Sequence, residues 1–241
     1  MRAGEREDTL LDGRVRLRQP AAGYRAAVDP VLLAAAVPAR SGERVLDLGC
    51  GVAPAALCLL ARVPGMWAAG LEVQAEMAWL ARENAELNGC SDALAPVVGD
   101  AGRPPFPGAT FDHVMANPPY QRAGHGRQPA APVATVEGAA KLPDWLAAML
   151  ALVRPRGSIT VIHRADRLDE LLRALPPSVG EVTVIPLWPG AETAAKRVIV
   201  RARAGVRTPA RLTPGLVLHA PDGRYTEAAD AVLRGAAPLG L

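Results

Sequence analysis

Short apolar runs alternate along the chain with longer segments in which apolar residues recur every three or four positions. The runs at 43–48, 68–73, 94–99 and 111–116 have the length of buried strands, and helical segments at 53–62 and 75–88 lie between them. Strands that alternate with helices predict a parallel sheet with helices packed on its faces.

The second half of the chain continues this pattern with a change at its end. We predict helices at 142–153 and 168–175 and strands at 158–163, 181–187 and 196–203. The last two strands are joined by a connection too short for a helical crossover, so they should be antiparallel neighbours. The predicted fold class is α/β, a doubly wound sheet of seven strands that is mostly parallel, with one antiparallel strand at its end.

The N-terminal region gives weaker signals. We expect residues up to 18 to be frayed because they are mostly polar. A short apolar helix at 31–37 follows, with Asp29 as its N-cap and Pro30 in its first turn.

Polar residues follow the first three predicted strands where those strands end. Asp47 leads into Gly49 and Gly51, Glu72 closes the second strand, and Asp100 follows the third. Glycines let a ligand approach the backbone of a strand–turn–helix, and an acid about twenty residues later suits the ribose hydroxyls of NAD or of any other adenosine ligand. Asp100 could accept the amino group of an adenine. We expect all of these groups at one edge of the sheet.

The fourth strand ends in Asn117, Pro118, Pro119 and Tyr120. The amide of Asn117 offers a donor and an acceptor side by side, and two prolines hold it on a stiff turn. Tyr120 adds a flat aromatic face. Together they predict a pocket for a planar NH2-bearing group: an adenine, a cytosine or a carboxamide.

Composition limits the function classes. The chain has 241 residues, enough for one α/β domain, and a net charge of +3, too small by itself to demand a nucleic acid partner. Its three cysteines show no spacing typical of disulfides or zinc sites. With no apolar run of membrane-spanning length and no signal peptide, we expect a cytoplasmic protein with no membrane partner.

The sequence reveals one basic patch, formed by Arg201, Arg203, Arg207 and Arg211, and further basic residues lie in a loop before it. We interpret the Gly- and Pro-rich segment 121–141 as a mobile lid over the Asn117 pocket, in which His125 is a weak candidate for a general base. Arg201 and Arg203 should share one face of the last strand, where they could bind RNA or simply protect a solvated edge. The candidate RNA-binding residues are Arg122, Arg127, Lys196, Arg197, Arg201 and Arg203.

Taken together, these motifs resemble those of class I S-adenosylmethionine-dependent methyltransferases of the Asn/Asp-Pro-Pro-Tyr type, over roughly residues 19–203. Within that class the chain is most similar to the tRNA adenine-N6-methyltransferase family that modifies a valine tRNA. Further supporting stretches are Gly23–Tyr24–Arg25, Asp29–Pro30 with the apolar residues after it, Lys196–Arg197, Leu218–His219 and Gly223–Arg224–Tyr225–Thr226.

The resemblance implies a Rossmann-like fold, S-adenosylmethionine as cofactor with S-adenosylhomocysteine as product, no metal, and tRNA as partner; it leaves the oligomeric state open. It also implies an N-terminal segment at 1–40 that closes over the cofactor, a methyltransferase domain at 41–205 and a C-terminal extension at 206–241 packed on that domain. The implied catalytic residues are Asn117, Pro118, Pro119 and Tyr120. The implied cofactor-binding residues are Tyr24, Arg25, Asp29, Asp47, Gly49, Gly51, Glu72, Asp100 and Asn117. The usual third glycine of the cofactor turn is Ala53 here, followed by Pro54, and we expect weaker or altered cofactor contact at most.

Other functions fit the sequence less well. A release-factor glutamine N5-methyltransferase shares the catalytic motif but carries a helical N-terminal domain, for which about forty residues are too few. A DNA amino-methyltransferase would need a large recognition region. An NAD dehydrogenase would require glycine where Ala53 and Pro54 stand, and a non-catalytic RNA-binding module would not need an intact Asn117 turn.

Overall fold

A mostly parallel sheet forms the centre of the molecule. The computed structural model describes residues 4–22, 28–120 and 140–240. Its strands are β1 (Glu5–Leu10), β2 (Val15–Pro20), β3 (Arg44–Leu48), β4 (Trp67–Glu72), β5 (Leu94–Val98), β6 (Phe111–Ala116), β7 (Val153–Arg164), β8 (Val179–Trp188), β9 (Arg197–Ala204), β10 (Arg211–Leu212) and β11 (Leu216–Val217). Its α-helices are α1 (Val28–Ala36), α2 (Pro54–Arg62), α3 (Ala75–Leu87), α4 (Leu142–Leu152), α5 (Leu168–Arg173) and α6 (Glu227–Leu233).

The central sheet confirms the predicted α/β class and adds two strands to it. Within the described residues it has nine strands in the order β10-β8-β9-β7-β6-β3-β4-β5, with β11 beside β8. Seven of these are the predicted strands, and the additional β10 and β11 have two residues each. Pairing is parallel from β7 through β6, β3 and β4 to β5. The carboxyl ends of these strands therefore meet at one edge, as predicted.

The sheet separates two apolar cores, because successive residues of a strand point to opposite faces. Val45 and Met115 pack with α1, α2, α3 and α6 on one face. Leu46 and Val114 pack with α4 and α5 on the other. Buried strands with both faces covered read as continuous apolar runs, which is why the sequence located them well.

The prediction of a frayed N-terminus was wrong. β1 and β2 pair as an antiparallel hairpin, and Leu11, Val15 and Leu17 are buried. The amide of Asn84, on α3, accepts from the N–H of Arg18 (2.7 Å) and donates to its carbonyl (2.9 Å). Asn88 holds Arg16 in the same two ways, at 2.9 and 2.7 Å. Two asparagine side chains thus form hydrogen bonds with backbone N–H and C=O groups of β2, as a neighbouring strand would.

The reversed strand lies inside the sheet and not at its end. β9 runs antiparallel to β7 on one side and to β8 on the other. The predicted antiparallel pairing of the last two main strands is confirmed, but β9 inserts beside β7 and leaves β8 outside it. Because β9 runs backwards, Arg197 at its start lies at the carboxyl edge of the parallel strands, opposite Arg164 of β7.

Candidate active site

The turn between β3 and α2 presents backbone groups at the carboxyl edge. Gly49 and Gly51 both have a positive φ, 75° and 56°, in the left-handed region that favours glycine. The N–H groups of Gly49 and Cys50 donate to the Leu71 carbonyl at 2.7 and 3.0 Å, which fixes the turn against β4. A Cβ on Gly51 would meet no atom within 4 Å, so the chain is open there to an approaching ligand.

The Ala53 substitution is more costly than its small size suggests. Ala53 precedes α2 with φ 66° and ψ 34°, and Pro54 begins the helix. An L-residue in this left-handed conformation costs roughly 1–2 kcal/mol relative to its usual conformation, which glycine would avoid. Strain of this kind is typical of turns at functional sites.

Two carboxylates lie behind the turn. Asp47 and Glu72 are almost completely buried, with exposures of 2% and 6%. Glu72 accepts from the N–H groups of Gly51 (3.0 Å) and Gln74 (2.9 Å), and Asp47 accepts from that of Ala56 (3.3 Å). Burial raises the pKa of Asp47 to about 7; the Ala56 N–H opposes this and the charge of Glu72 adds to it. Asp47 is therefore ready to ionise beside a cationic ligand.

Asp100 and Trp145 complete this side of the site. Asp100 is exposed after β5, and its carboxylate accepts from the N–H of Gly102 at 2.8 Å. The indole of Trp145, on α4, covers Gly49 so closely that a Cβ there would lie 2.5 Å from the ring. Trp145 was not predicted from the sequence, because an aromatic residue in an apolar helix looks like an ordinary core residue.

The turn after β6 holds the predicted pocket residues. Pro118 is buried, and Asn117, Pro119 and Tyr120 are partly exposed. The Tyr120 hydroxyl donates to Asp29 Oδ2 at 2.7 Å. Asp29 lies in the first turn of α1, which begins at Val28, three residues earlier than predicted. A carboxylate expected to cap a helix therefore anchors the aromatic ring beside Asn117.

Arg197 contacts both Asp29 and Tyr120. Its Nε donates to Asp29 Oδ2 at 3.1 Å, and its Cζ lies 4.5 Å from the centre of the Tyr120 ring, a cation–π contact. Burial lowers the pKa of Arg197, but Asp29 and Tyr120 together raise it by more, so that the group stays charged. The structure thus places this candidate RNA-binding residue against the pocket turn.

His163 supports Tyr120 from β7. The two rings meet edge to face, with centroids 5.4 Å apart and an interplanar angle of 78°. His163 is fully buried, and burial lowers its pKa to about 4; the Arg167 charge acts in the same direction and the Pro119 carbonyl in the opposite one. His163 is therefore neutral at pH 7. Sequence reasoning missed it because a histidine that ends an apolar strand carries no motif.

The other basic candidates lie apart. Lys196 is exposed beside the site. Arg201 and Arg203 lie four and six residues beyond Arg197 along β9, about 13 and 20 Å toward the opposite edge of the sheet. Arg203 donates to Glu181 and to the Arg156 carbonyl, each at 3.0 Å. These contacts engage its guanidinium within the protein. RNA binding by Arg201 and Arg203 stays a prediction.

Some predicted residues cannot be placed. Tyr24, Arg25, Arg122, His125 and Arg127 lie outside the described residues, as does nearly all of the proposed lid at 121–141. Across 4–22, 28–120 and 140–240, every helix falls short of the length and apolarity that a membrane crossing requires. In the same part of the chain, no three His, Cys, Asp or Glu side chains come together as a metal site.

The chain is similar to known methyltransferases. Residues 26–143 match the model of the methyltransferase small domain family. A tRNA1(Val) (adenine(37)-N6)-methyltransferase of Aeromonas hydrophila is 29% identical over 203 residues, which cover 83% of this chain and 84% of that protein. The chain is a methyltransferase with a Rossmann-like fold.

The chain is also similar to methyltransferases of other kinds. A predicted O-methyltransferase of Agrobacterium tumefaciens has the same fold, with a TM-score of 0.74 at 24% identity over 87% of this chain and 97% of that chain. A release factor glutamine methyltransferase of Chlorobaculum tepidum is 31% identical over 166 residues, 64% of this chain but only 56% of that protein. A geranyl diphosphate methyltransferase of this fold, with a TM-score of 0.53 at 16% identity, has been solved with S-adenosylmethionine bound.

Proposed function

We propose that this methyltransferase methylates N6 of an adenine in tRNA, in the cytoplasm. The observation that carries the proposal is the turn Asn117–Pro118–Pro119–Tyr120 at the carboxyl end of β6, with the ring of Tyr120 held in place by Asp29 and Arg197. The Aeromonas hydrophila relative, which matches most of the chain, is named for that activity.

The residues present fit the cofactor. S-adenosylmethionine supplies a methyl group on a positively charged sulfur. Asp47 and Glu72 offer buried carboxylates beside a glycine turn whose backbone is open at Gly51. We assign Glu72 to the ribose hydroxyls, Asp47 to the methionine part and Asp100 to the adenine amine, while Gly49 and Gly51 allow close approach.

The Asn117 turn is suited to the acceptor. The lone pair of an aromatic amine is delocalised into its ring, so the amine is a weak nucleophile. The Asn117 side-chain oxygen and the Pro118 carbonyl would accept hydrogen bonds from the two N–H groups of the amine. These contacts would favour a tetrahedral nitrogen, which is the form that attacks the methyl group. Tyr120 would stack on a base that has left its neighbours, and in-line placement supplies the remaining acceleration.

The test uses methyl-labelled S-adenosylmethionine with bulk tRNA, and separately with RNA-free protein. We expect label in tRNA that digests to N6-methyladenosine. Label in RNA-free protein alone would refute the proposal in favour of the glutamine reaction of the Chlorobaculum relative.

Asn117→Ala is the matched variant for this assay. It should abolish transfer and leave cofactor binding, measured by calorimetry, nearly unchanged, because the amide serves the acceptor. Undiminished turnover would show that the turn does not hold the acceptor nitrogen.

A further inference from the structure

Arg197 and Tyr120 both donate a hydrogen bond to the same carboxylate oxygen of Asp29. Asp29 Oδ2 accepts both the Tyr120 hydroxyl at 2.7 Å and the Arg197 Nε–H at 3.1 Å. The three residues come from β9, α1 and the turn after β6. Asp29 is largely shielded, with a side-chain exposure of 15%, and Arg197 is one-third exposed, at 33%. Their interaction is therefore less screened than that of a surface pair.

The arrangement fixes the plane of the Tyr120 ring before any substrate arrives. Pro118 and Pro119 restrain its backbone, and Asp29 restrains its hydroxyl at the far end of the ring. The Arg197 guanidinium covers one face at 4.5 Å, and the neutral ring of His163 meets Tyr120 at 78°. An aromatic side chain that is already oriented loses little conformational freedom when a base stacks on it, and this favours binding.

The carboxylate of Asp29 also neutralises the positive charge of Arg197 beside the proposed acceptor pocket. Methyl transfer forms a bond from the acceptor nitrogen to the methyl carbon, while the carbon–sulfur bond breaks and its electron pair goes to sulfur. The sulfur would leave as a neutral thioether, and the nitrogen would carry the positive charge until its proton passed to solvent water. An isolated guanidinium against Tyr120 would oppose that change, but Arg197 is paired with Asp29.

We propose that Arg197 and Asp29 are positioning residues for the methyl acceptor. Arg197 packs against one face of the Tyr120 ring, and Asp29 holds the Tyr120 hydroxyl and the Arg197 guanidinium and neutralises the latter. This role rests on the proposed function of the Asn117 turn. It assigns Arg197 to the orientation of the target base, whereas phosphate binding would require a guanidinium free of Asp29.

The test compares Arg197→Met, Asp29→Asn and the double variant, with kinetics on tRNA and calorimetry of cofactor binding. Arg197→Met should raise KM for tRNA about tenfold, with a smaller effect on kcat, because a cation–π contact is lost. Asp29→Asn should mainly lower kcat, since it leaves the guanidinium uncompensated. The double variant should recover part of that kcat, because the unpaired charge is gone.

Controls separate this role from simple stabilisation. The exposed pair Arg173–Asp169 on α5 offers matched Arg→Met, Asp→Asn and double variants, which should keep wild-type kinetics. Additive losses of kcat at Arg197 and Asp29, with no recovery in the double variant and an unchanged KM, would overturn the proposal. Wild-type enzyme that labels no tRNA would instead refute the proposed function, and with it this role.

Discussion

His163 should make the stability of the protein depend on pH in a specific window. The perturbation is a change from pH 7 to pH 5 in the wild-type chain and in His163→Gln. In the folded protein, burial keeps the imidazole neutral down to a pKa of about 4. In the unfolded chain it titrates near pH 6.5. Only the unfolded state therefore takes up a proton between these values.

The sign and size follow by linkage. Because the folded pKa lies below the unfolded one, this contribution to stability is fully present above pH 6.5 and is lost as the pH falls toward 4. At pH 5 the unfolded chain has gained protonation over about 1.5 pH units, worth roughly 2 kcal/mol at 1.36 kcal/mol per unit. That is a large part of a typical folding stability of about 5–15 kcal/mol.

The assay is urea unfolding followed by tryptophan fluorescence at pH 5, 6 and 7. Other titrating groups act on both proteins, so the difference between wild type and His163→Gln isolates His163. We expect wild type to lose about 2 kcal/mol more than the variant between pH 7 and pH 5. Parallel curves for the two proteins would refute the reasoning, because they would mean that folded His163 takes up a proton as readily as an exposed histidine.

Two further predictions concern the cofactor side of the site. Gly49→Ala should destabilise the protein by about 1–3 kcal/mol more than Gly51→Ala in urea unfolding, since both positions have positive φ but only the new Cβ at Gly49 meets Trp145; equal losses would show that the indole yields freely. Binding of S-adenosylmethionine at pH 7 should release a proton from Asp47, whose pKa of about 7 would fall beside the sulfonium. Calorimetric heats should then differ between phosphate and Tris buffers for wild type but not for Asp47→Asn, and a buffer-independent wild type would contradict this linkage.

The sequence predicted β3, β4 and β6 most clearly because each is almost entirely buried and has a residue with distinctive chemistry at or near its end. Asp47, Glu72 and Asn117 were found in this way, and parallel pairing brings their strand ends to one edge. β2 was missed because its charged outer positions conceal a buried alternation of Val15, Leu17 and Gln19.

Contacts between distant segments could not be predicted in the same way. Whether a residue such as Arg197 reaches the site depends on where its strand inserts and in which direction it runs, and neither is encoded locally. His163 needs the neighbouring Tyr120 to gain meaning, and Trp145 needs Gly49. Each partner lies outside the range of a motif.

The reversal of β9 also determines where this enzyme can diversify. Since β8 ends and β9 begins at the carboxyl edge, the segment 189–196 between them leaves and re-enters the sheet on the side of the proposed acceptor pocket. Insertions or substitutions in that segment could reshape access for a different acceptor without disturbing a strand or the cofactor turn. Under the proposed function, the edge of the sheet at β3 and β4 would serve the methyl donor, and the edge at β6 and β9 would determine what is methylated.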